Sequence, residues 1–398
     1  MKILIVHNRY LQKGGEDTVV AAEKELLESY GHQVRICMFD NADIPKGALG
    51  KLKAMFLSIS NATAKARVKA EIVDFGADVV HVHNTFYVAS PAIYAAAKES
   101  GVPVIQTLHN YRLLCPSAFL YHDGALYLDS VHKVYPLKAI AKRVWEGSLL
   151  KTWSIVNITA FHKLKGTYRK FVDKYIVFSE FSKGVFADSS LHLQEEQLAI
   201  KPNFVPDPGE ENLPRGEHYL FVGRLSPEKG ISVLLEAATT SNFKVKILGD
   251  GPLRPMVEEA ASQNANIEFL GRKSREEVMH HFRTCRALIF PSVWYEGMPM
   301  VIIEALAAGA PIITSDLGNP GSMVLDGVNG LKFEAGNSAQ LVEQIEYLQA
   351  NAFLVSEFSQ AARSLYQQHY SPEANYKTLI EIYQSCIQDS HTLLKTNS

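Results

Sequence analysis

A short apolar run, Ala287 to Phe290, leads into Pro291-Ser-Val-Trp-Tyr-Glu296-Gly297-Met298-Pro299-Met300-Val301-Ile-Ile-Glu304-Ala-Leu-Ala-Ala-Gly309-Ala-Pro311, and a second apolar run, Ile312 to Thr314, follows. Apolar runs this short, bounded by turn residues, read as strands buried on both faces of a parallel sheet. Between them there is room for one loop and one helix. Pro299 suits a first helical turn, and Gly309 suits the end of a helix with Pro311 just beyond it. The pattern is that of an alternating α/β chain, with Gly297 and Met298 at the amino end of the helix.

A helix amino terminus presents unpaired N–H groups and partial positive charge, which suits a phosphate, and a glycine lets the backbone come close. Glu296 falls at the lip. Glu304 lies four residues beyond Met300, so at roughly 1.5 Å rise per residue its carboxylate is about 6 Å further along the helix. One carboxylate at the mouth and one a short step away suit the two sugars of a nucleotide sugar, with the pyrophosphate between them on backbone amides. Taken bare, two glutamates eight apart also describe a solvated residue and a helix-flank ion pair.

Other segments repeat the strand, glycine turn and helix pattern. Lys2 to His7 reads as a strand, followed by Gly14-Gly15 before a helix from Thr18 to Tyr30. His218 to Val222 precedes Gly223-Arg224-Leu225-Ser226-Pro227-Glu228-Lys229-Gly230; Lys244 to Leu248 precedes Gly249-Asp250-Gly251-Pro252; Ile267 to Leu270 precedes Gly271-Arg272-Lys273 and a helix capped by Ser274. Arg224 with Lys229 can neutralise a leaving diphosphate without a metal. Val104 to Leu108 ends at His109-Asn110-Tyr111-Arg112, the strand edge where doubly wound sheets place ligands. His109 read alone is more often a structural histidine, and His81, His83 and His109 do not form a convincing metal spacing.

The run Glu296-Gly-Met-Pro-Met-Val-Ile-Ile-Glu304-Ala-Leu-Ala-Ala-Gly resembles the signature of retaining glycosyltransferase family 4, and Gly-Arg-Leu-x-x-x-Lys-Gly matches the same family. The resemblance covers nearly the whole chain. It implies the GT-B architecture, two Rossmann-like doubly wound parallel-sheet domains facing across a cleft. The expected division is an acceptor-binding domain over 1–203, a nucleotide-sugar-binding domain over 204–370, and a helix over 371–398 crossing back to the first domain. The resemblance further implies that Gly15, beside Gly14, approaches the donor phosphates, that His109 bonds the transferred sugar, and that the backbone at Arg272 meets the base. Gly223, Gly249, Gly297, Met298, Pro299, Met300 and Val301 complete the expected donor site, with His109, Arg224, Lys229 and Glu296 as the catalytic set.

Length and charge agree with two domains. A chain of 398 residues with 47% hydrophobic residues can bury two cores. Residues 1–200 carry 24 Lys and Arg against 19 Asp and Glu, a balance of +5, and the rest carry 16 against 23, a balance of −7. The amino-terminal half is the one to meet something anionic. Basic residues interleave with apolar ones over Lys46 to Lys69, and again over Pro136 to Phe171 with Trp145, Trp153 and Phe161, which is read as one helical stretch. Both suit an anionic membrane surface or a lipid-diphosphate acceptor, and both equally suit a solvated helix. The loop 113–135 is read as irregular, and Pro202 to Gly216, rich in Pro and Gly, as an interdomain connection. Residues 338–367 are expected to be helical, and so is Ser371 to about Gln388.

Cys37, Cys115, Cys285 and Cys386 are scattered, which points to reduced buried thiols. No apolar stretch reaches the ~18 residues of a membrane span, so the expected location is cytoplasmic, at the inner face of the membrane if the basic stretches bind it. There is no Gly-x-Gly-x-x-Gly of a dinucleotide dehydrogenase and no Asp-x-Asp to bridge a metal to a diphosphate. The expected donor is a UDP-sugar, UDP-glucose first, with no cofactor or metal and no nucleic-acid partner; the acceptor is a glycan or lipid-linked hydroxyl. GDP-mannose-dependent mannosyl transfer, a nucleotide-sugar epimerase of the same fold, and a non-catalytic nucleotide-sugar-binding protein stand as alternatives.

Overall fold

In the computed structural model, residues 1–10, 14–44, 47, 56–211 and 213–396 are described. The chain divides into two units, one of residues 1–120, 127–201 and 376–398 and the other of 121–126 and 202–375. Each contains a six-stranded parallel sheet.

In the first unit the strands β1 (Lys2–Arg9), β2 (Gln33–Asp40), β3 (Val79–Val82) and β4 (Val104–Thr107) come first. After a two-stranded hairpin, β5 (Tyr121–His122) and β6 (Ala125–Leu126), which groups with the second unit, β7 (Lys174–Val177) and β8 (Leu198–Ile200) follow. The sheet order is β2-β1-β3-β4-β7-β8. Ile3, Leu4, Ile5 and Val6 are all fully buried, as expected for a strand covered on both faces. One face packs Ile3, Ile5, Val79, Ile105 and Ile176 against Val20 and Leu27 of the helix Gly15–Ser29 and against Leu379 and Tyr383 of the helix Pro372–Thr396.

In the second unit β9 (Tyr219–Val222), β10 (Val245–Leu248), β11 (Ile267–Gly271), β12 (Leu288–Phe290), β13 (Ile312–Ser315) and β14 (Gly330–Phe333) lie in the order β11-β10-β9-β12-β13-β14. The pleat sends neighbouring residues to opposite faces. Tyr219, Ile247, Ile289 and Ile313 join one core cluster, and Leu220, Leu248, Leu288 and Ile312 join the other. Each such side chain contributes ~1.5–3 kcal/mol by leaving water, so the two faces together hold the sheet between its helices.

Several expected elements differ. The first helix starts at Gly15 rather than Thr18, with Gly14 as its cap. The stretch 136–171 is not one helix but three, Leu137–Ala141, Leu149–Lys165 and Thr167–Phe171. Arg143, Glu146 and Gly147 at positive φ turn the chain, and Ser148 caps the restart by accepting from Lys151 N. Residues 338–367 break into Ser338–Ala350 and Leu354–Leu365. β14 was not anticipated; it opens on Gly330, where a Cβ would sit 2.0 Å from the carbonyl oxygen of Ile312. The loop 113–135 contains the β5–β6 hairpin. The Pro- and Gly-rich segment 202–216 is tied to the second unit: Arg363 pairs with Asp207, Arg283 donates to the carbonyl of Pro208, and Arg215 donates to those of Phe282, Cys285, Ala308 and Gly309.

Candidate active site

The second unit carries its site at the carboxyl edge between β9 and β12, where the strand order reverses and open α/β sheets bind ligands. After β9 the chain passes Arg224 and makes one tight turn over Pro227–Lys229. Gly230 closes that turn at φ +68°, and a Cβ there would lie 1.8 Å from the carbonyl oxygen of Pro291. Only glycine lets the two loops approach so closely. They are then knitted together, Val293 N donating to the carbonyl of Glu228 at 3.0 Å and Ser292 Oγ to the same oxygen at 3.2 Å.

The approach brings Lys229 to Glu296. Its Nζ lies 2.6 Å from Oε1 of Glu296, which also accepts from Ser292 Oγ at 2.9 Å. Glu296 is buried, while Lys229 is partly exposed and sits 5.3 Å from the centroid of the Trp294 ring. Asn319, fully buried, donates to the backbone carbonyls of Glu296 and Gly297 and so fixes the loop before the helix. The helix is Met300–Ala307, with Pro299 as its cap residue and Gly309 at φ +66° just past its end. The amides of its first turn lack the acceptor one turn back that later residues have, and among them Ile302 N donates to the carbonyl of Pro299 at 3.0 Å.

Glu304 is half-buried on the same helix. Burial pushes its carboxyl up, with Arg275 pulling the other way, and no hydrogen bond satisfies it among the described residues. Arg224 is exposed, and its guanidinium has no ion-pair partner among the described residues. At the neighbouring strand ends Gly249 has φ +144°, and a Cβ would lie 1.8 Å from the carbonyl oxygen of Gly223, so the β9 and β10 loops touch through backbone. Arg272 follows Gly271 and is exposed. The second-unit residues expected from sequence thus share one sheet edge.

In the first unit the corresponding edge is formed by the ends of β1, β3 and β4. Gly14 and Gly15 lie at the helix start with open space beside both, and Asp17 in the first turn binds His7 Nε2 at 3.0 Å. His83, His109, Glu16, Asn110, Arg112 and Tyr10 line one recess. Asn110 Nδ2 donates to Glu16 Oε1 at 2.8 Å. Burial pushes Glu16 up to about 7, against the pull of Asn110 and Arg112. His109 Nε2 lies 2.9 Å from His83 Nδ1.

Sequence reading missed Glu16, Glu23, Lys201, Ser292 and Asn319 as site neighbours. Glu23, His81 and His83 offer ligand-type atoms within 4.8 Å of one another, a grouping that the spacing of the histidines does not disclose. Part of the group is engaged inside the protein: Glu23 Oε2 pairs with Lys201 at 3.0 Å, and the ring nitrogens of His81 meet Tyr383 at 2.7 Å and Thr107 at 2.8 Å, while Glu23 Oε1 and His83 Nε2 have no hydrogen-bond partner among the described residues. The basic stretch over Lys46 to Lys69 lies partly outside the described residues. Of the rest, Lys65 and Lys69 pair with Glu99, and Arg67 stacks over Phe39. No described helix is long and apolar enough to cross a membrane, and all four cysteines are buried and free.

The family model described as Glycosyltransferase Family 4 matches residues 13–206, and that described as Glycosyl transferases group 1 matches residues 208–365. The chain belongs to glycosyltransferase family 4 and has the GT-B fold. This transferase is 41% identical over 128 residues to an uncharacterized glycosyltransferase of Methanocaldococcus jannaschii, a match that takes in 32% of this chain and only 36% of that relative's length. It is 24% identical over 359 residues, 86% of this chain and 85% of the other, to the phosphatidyl-myo-inositol mannosyltransferase of Mycobacterium leprae. Among solved structures the Anabaena protein HepE in complex with UDP matches with TM-score 0.65 at 17% identity, covering 97% of this chain and 100% of that one. At that identity the likeness speaks for the fold alone.

Proposed function

We propose that this transferase moves a hexosyl group from a nucleoside-diphosphate sugar to a hydroxyl of a glycan or lipid-linked acceptor, with retention at the anomeric carbon. The observation that carries the reading is the Lys229–Glu296 pair beside the start of the helix that carries Glu304. The diphosphate sits on the amides of that helix, and its growing negative charge is neutralised by Arg224 and Lys229 together with the helix end, without a metal. Glu296 holds hydroxyls of the donor sugar and Glu304 those of the ribose. His109 contacts the transferred sugar, as the family resemblance implies.

In the reaction the bond from the anomeric carbon to the diphosphate oxygen breaks as the acceptor oxygen bonds on the same face. The acceptor's proton passes to the departing phosphate oxygen. UDP-glucose is the first donor we assign, supported by the UDP complex of HepE. A mannosyl donor is the second reading, favoured by the Mycobacterium relative.

The test is incubation with UDP-, GDP- and ADP-sugars, read by thermal shift and donor turnover, with the anomer of the product assigned by NMR. Turnover with inversion would remove the same-face mechanism. Isomerisation of the donor without acceptor would select the epimerase, and binding without turnover over a broad acceptor panel would select the non-catalytic reading.

The first unit contributes a surface for a lipid-linked acceptor. Leu150, Trp153, Phe161 and Leu164 are exposed at helical spacing on Leu149–Lys165, flanked by Lys151 and Lys165. An exposed apolar stripe bordered by lysines suits a membrane surface with anionic lipids.

A further inference from the structure

The reaction outlined above leaves unused a chain of side chains behind His109. It starts at Glu23, on the helix Gly15–Ser29, which is fully buried with Lys201, His81 and His83. Glu23 Oε2 takes the Lys201 ammonium at 3.0 Å, and its Oε1 lies 2.9 Å from His81 Nδ1 and 3.2 Å from His83 Nε2. The chain continues from His83 Nδ1 to His109 Nε2 at 2.9 Å, with the two rings stacked at 24°. His109 ends it at the recess it shares with Glu16 and Asn110.

The state of each member follows from the buried end. Burial pushes Glu23 up, but Lys201 and the two imidazoles outweigh it and hold the carboxyl well below its usual range. Burial pushes His83 down to about 4 and His109 well below its ordinary value. At neutral pH both rings are therefore neutral and carry one N–H each. Glu23 Oε1 and His83 Nε2 approach to 3.2 Å without hydrogen-bond geometry; at that distance in a buried site an N–H turned toward the carboxylate is attractive and a lone pair repulsive, so Nε2 carries the hydrogen. Nδ1 of His83 is then bare and can only accept, which makes Nε2 of His109 the donor. His109 is left with a bare Nδ1, and no described residue bonds to it.

We propose that Glu23 and His83 are positioning residues that hold His109 in its Nε2–H tautomer, so that Nδ1 meets the substrate as a hydrogen-bond acceptor and selects a sugar hydroxyl that donates. The proposal rests on the reading of His109 as a substrate contact. It predicts discrimination against a donor whose hydroxyl at that position is replaced by fluorine, which accepts but cannot donate.

The decisive measurement is a long-range nitrogen–proton NMR spectrum of the ¹⁵N-histidine-labelled full chain between about pH 6 and 8, with His109 assigned by comparison with His109→Gln. The expected result is a protonated Nε2 and a bare Nδ1 throughout. A protonated Nδ1, or a metal ion found bound at Glu23 and His83, overturns the wiring. The companion variant is Glu23→Gln, checked for folding by its melting curve. It is expected to give mixed tautomers at His109 and to lower kcat/KM for the hydroxyl donor by about tenfold, with no change for the fluorinated one. Equal losses for both donors would reduce Glu23 to a structural role and overturn the proposal; where the variant does not fold, the spectrum of the unmodified protein decides. Unchanged turnover in His109→Ala would overturn the substrate contact itself, an outcome distinct from a failure of the wiring.

Discussion

Lys229 Nζ and Glu296 Oε1 lie 2.6 Å apart, joining two loops that leave adjacent strands of one sheet. Lys229→Ala is expected to lower kcat by ~10²–10³, the scale of losing one group that stabilises developing negative charge. It also leaves a buried carboxylate whose one remaining side-chain donor among the described residues is Ser292, which costs ~1–3 kcal/mol of stability. Arg224→Ala should lower turnover on a similar scale with an unchanged melting temperature, because its guanidinium is exposed and contributes nothing measurable to folding. Steady-state rates beside melting curves check both; an unchanged rate in either variant removes that residue from the site.

Two glycines should respond in opposite ways. A Cβ at Gly15 meets nothing within 4 Å, so Gly15→Ala should melt normally, and any loss of activity reports a ligand that approaches there. Gly230→Ala forces a side chain onto φ +68° and to within 1.8 Å of a carbonyl oxygen. Its expected cost is several kcal/mol, ~3 or more, read as a fall in the urea midpoint. A normal midpoint for Gly230→Ala would contradict the loop contact on which the Lys229–Glu296 pair depends.

Stability should fall on acidification before the carboxylates titrate. His83 has a folded pKa of about 4 against 6.5 unfolded. Between those values the unfolded chain binds more protons than the folded one, so stability is lost as pH drops through that window, by about 3 kcal/mol for this group. His109 acts in the same direction. Glu16 opposes them: its pKa is raised from 4.5 to about 7, so the folded state holds the extra proton and stability is lost as pH rises through that window. Urea midpoints at a series of pH values should therefore fall more steeply from pH 6.5 to 4.5 in Glu16→Gln than in the parent protein. Parallel profiles would show that Glu16 titrates normally.

The exposed stripe on Leu149–Lys165 gives a surface prediction. Each large apolar side chain that leaves water contributes ~1.5–3 kcal/mol, so Leu150→Glu with Trp153→Glu should reduce binding to phosphatidylglycerol-containing vesicles by at least ~100-fold. Co-sedimentation measures it, with phosphatidylcholine vesicles as the comparison. Equal binding by parent and variant would exclude this helix as the contact, and the donor reaction in detergent should be the same for both.

Much of the site was legible because its parts are local. Strand, glycine turn and helix recur within about ten residues, and the fold sets where a turn points once the strand is parallel and buried. Gly223, Gly230, Gly249 and Gly309 sit where backbone meets backbone or φ is positive, which a sequence can signal through glycine itself. The ends of the longer helices were less legible: Arg143 and Glu146 at positive φ carry no compositional mark of a turn.

The order of residue types along the chain was enough to establish two parallel sheets, their glycine-edged loops and the helix that carries Glu304. Only tertiary packing decided which charges meet. Lys229 and Glu296 are 67 positions apart, and Lys201 and Glu23 are 178 apart. Periodicity speaks of a residue's own element and is silent about distant partners, whereas the energy of a buried carboxylate depends on whichever cation the folded chain sets beside it.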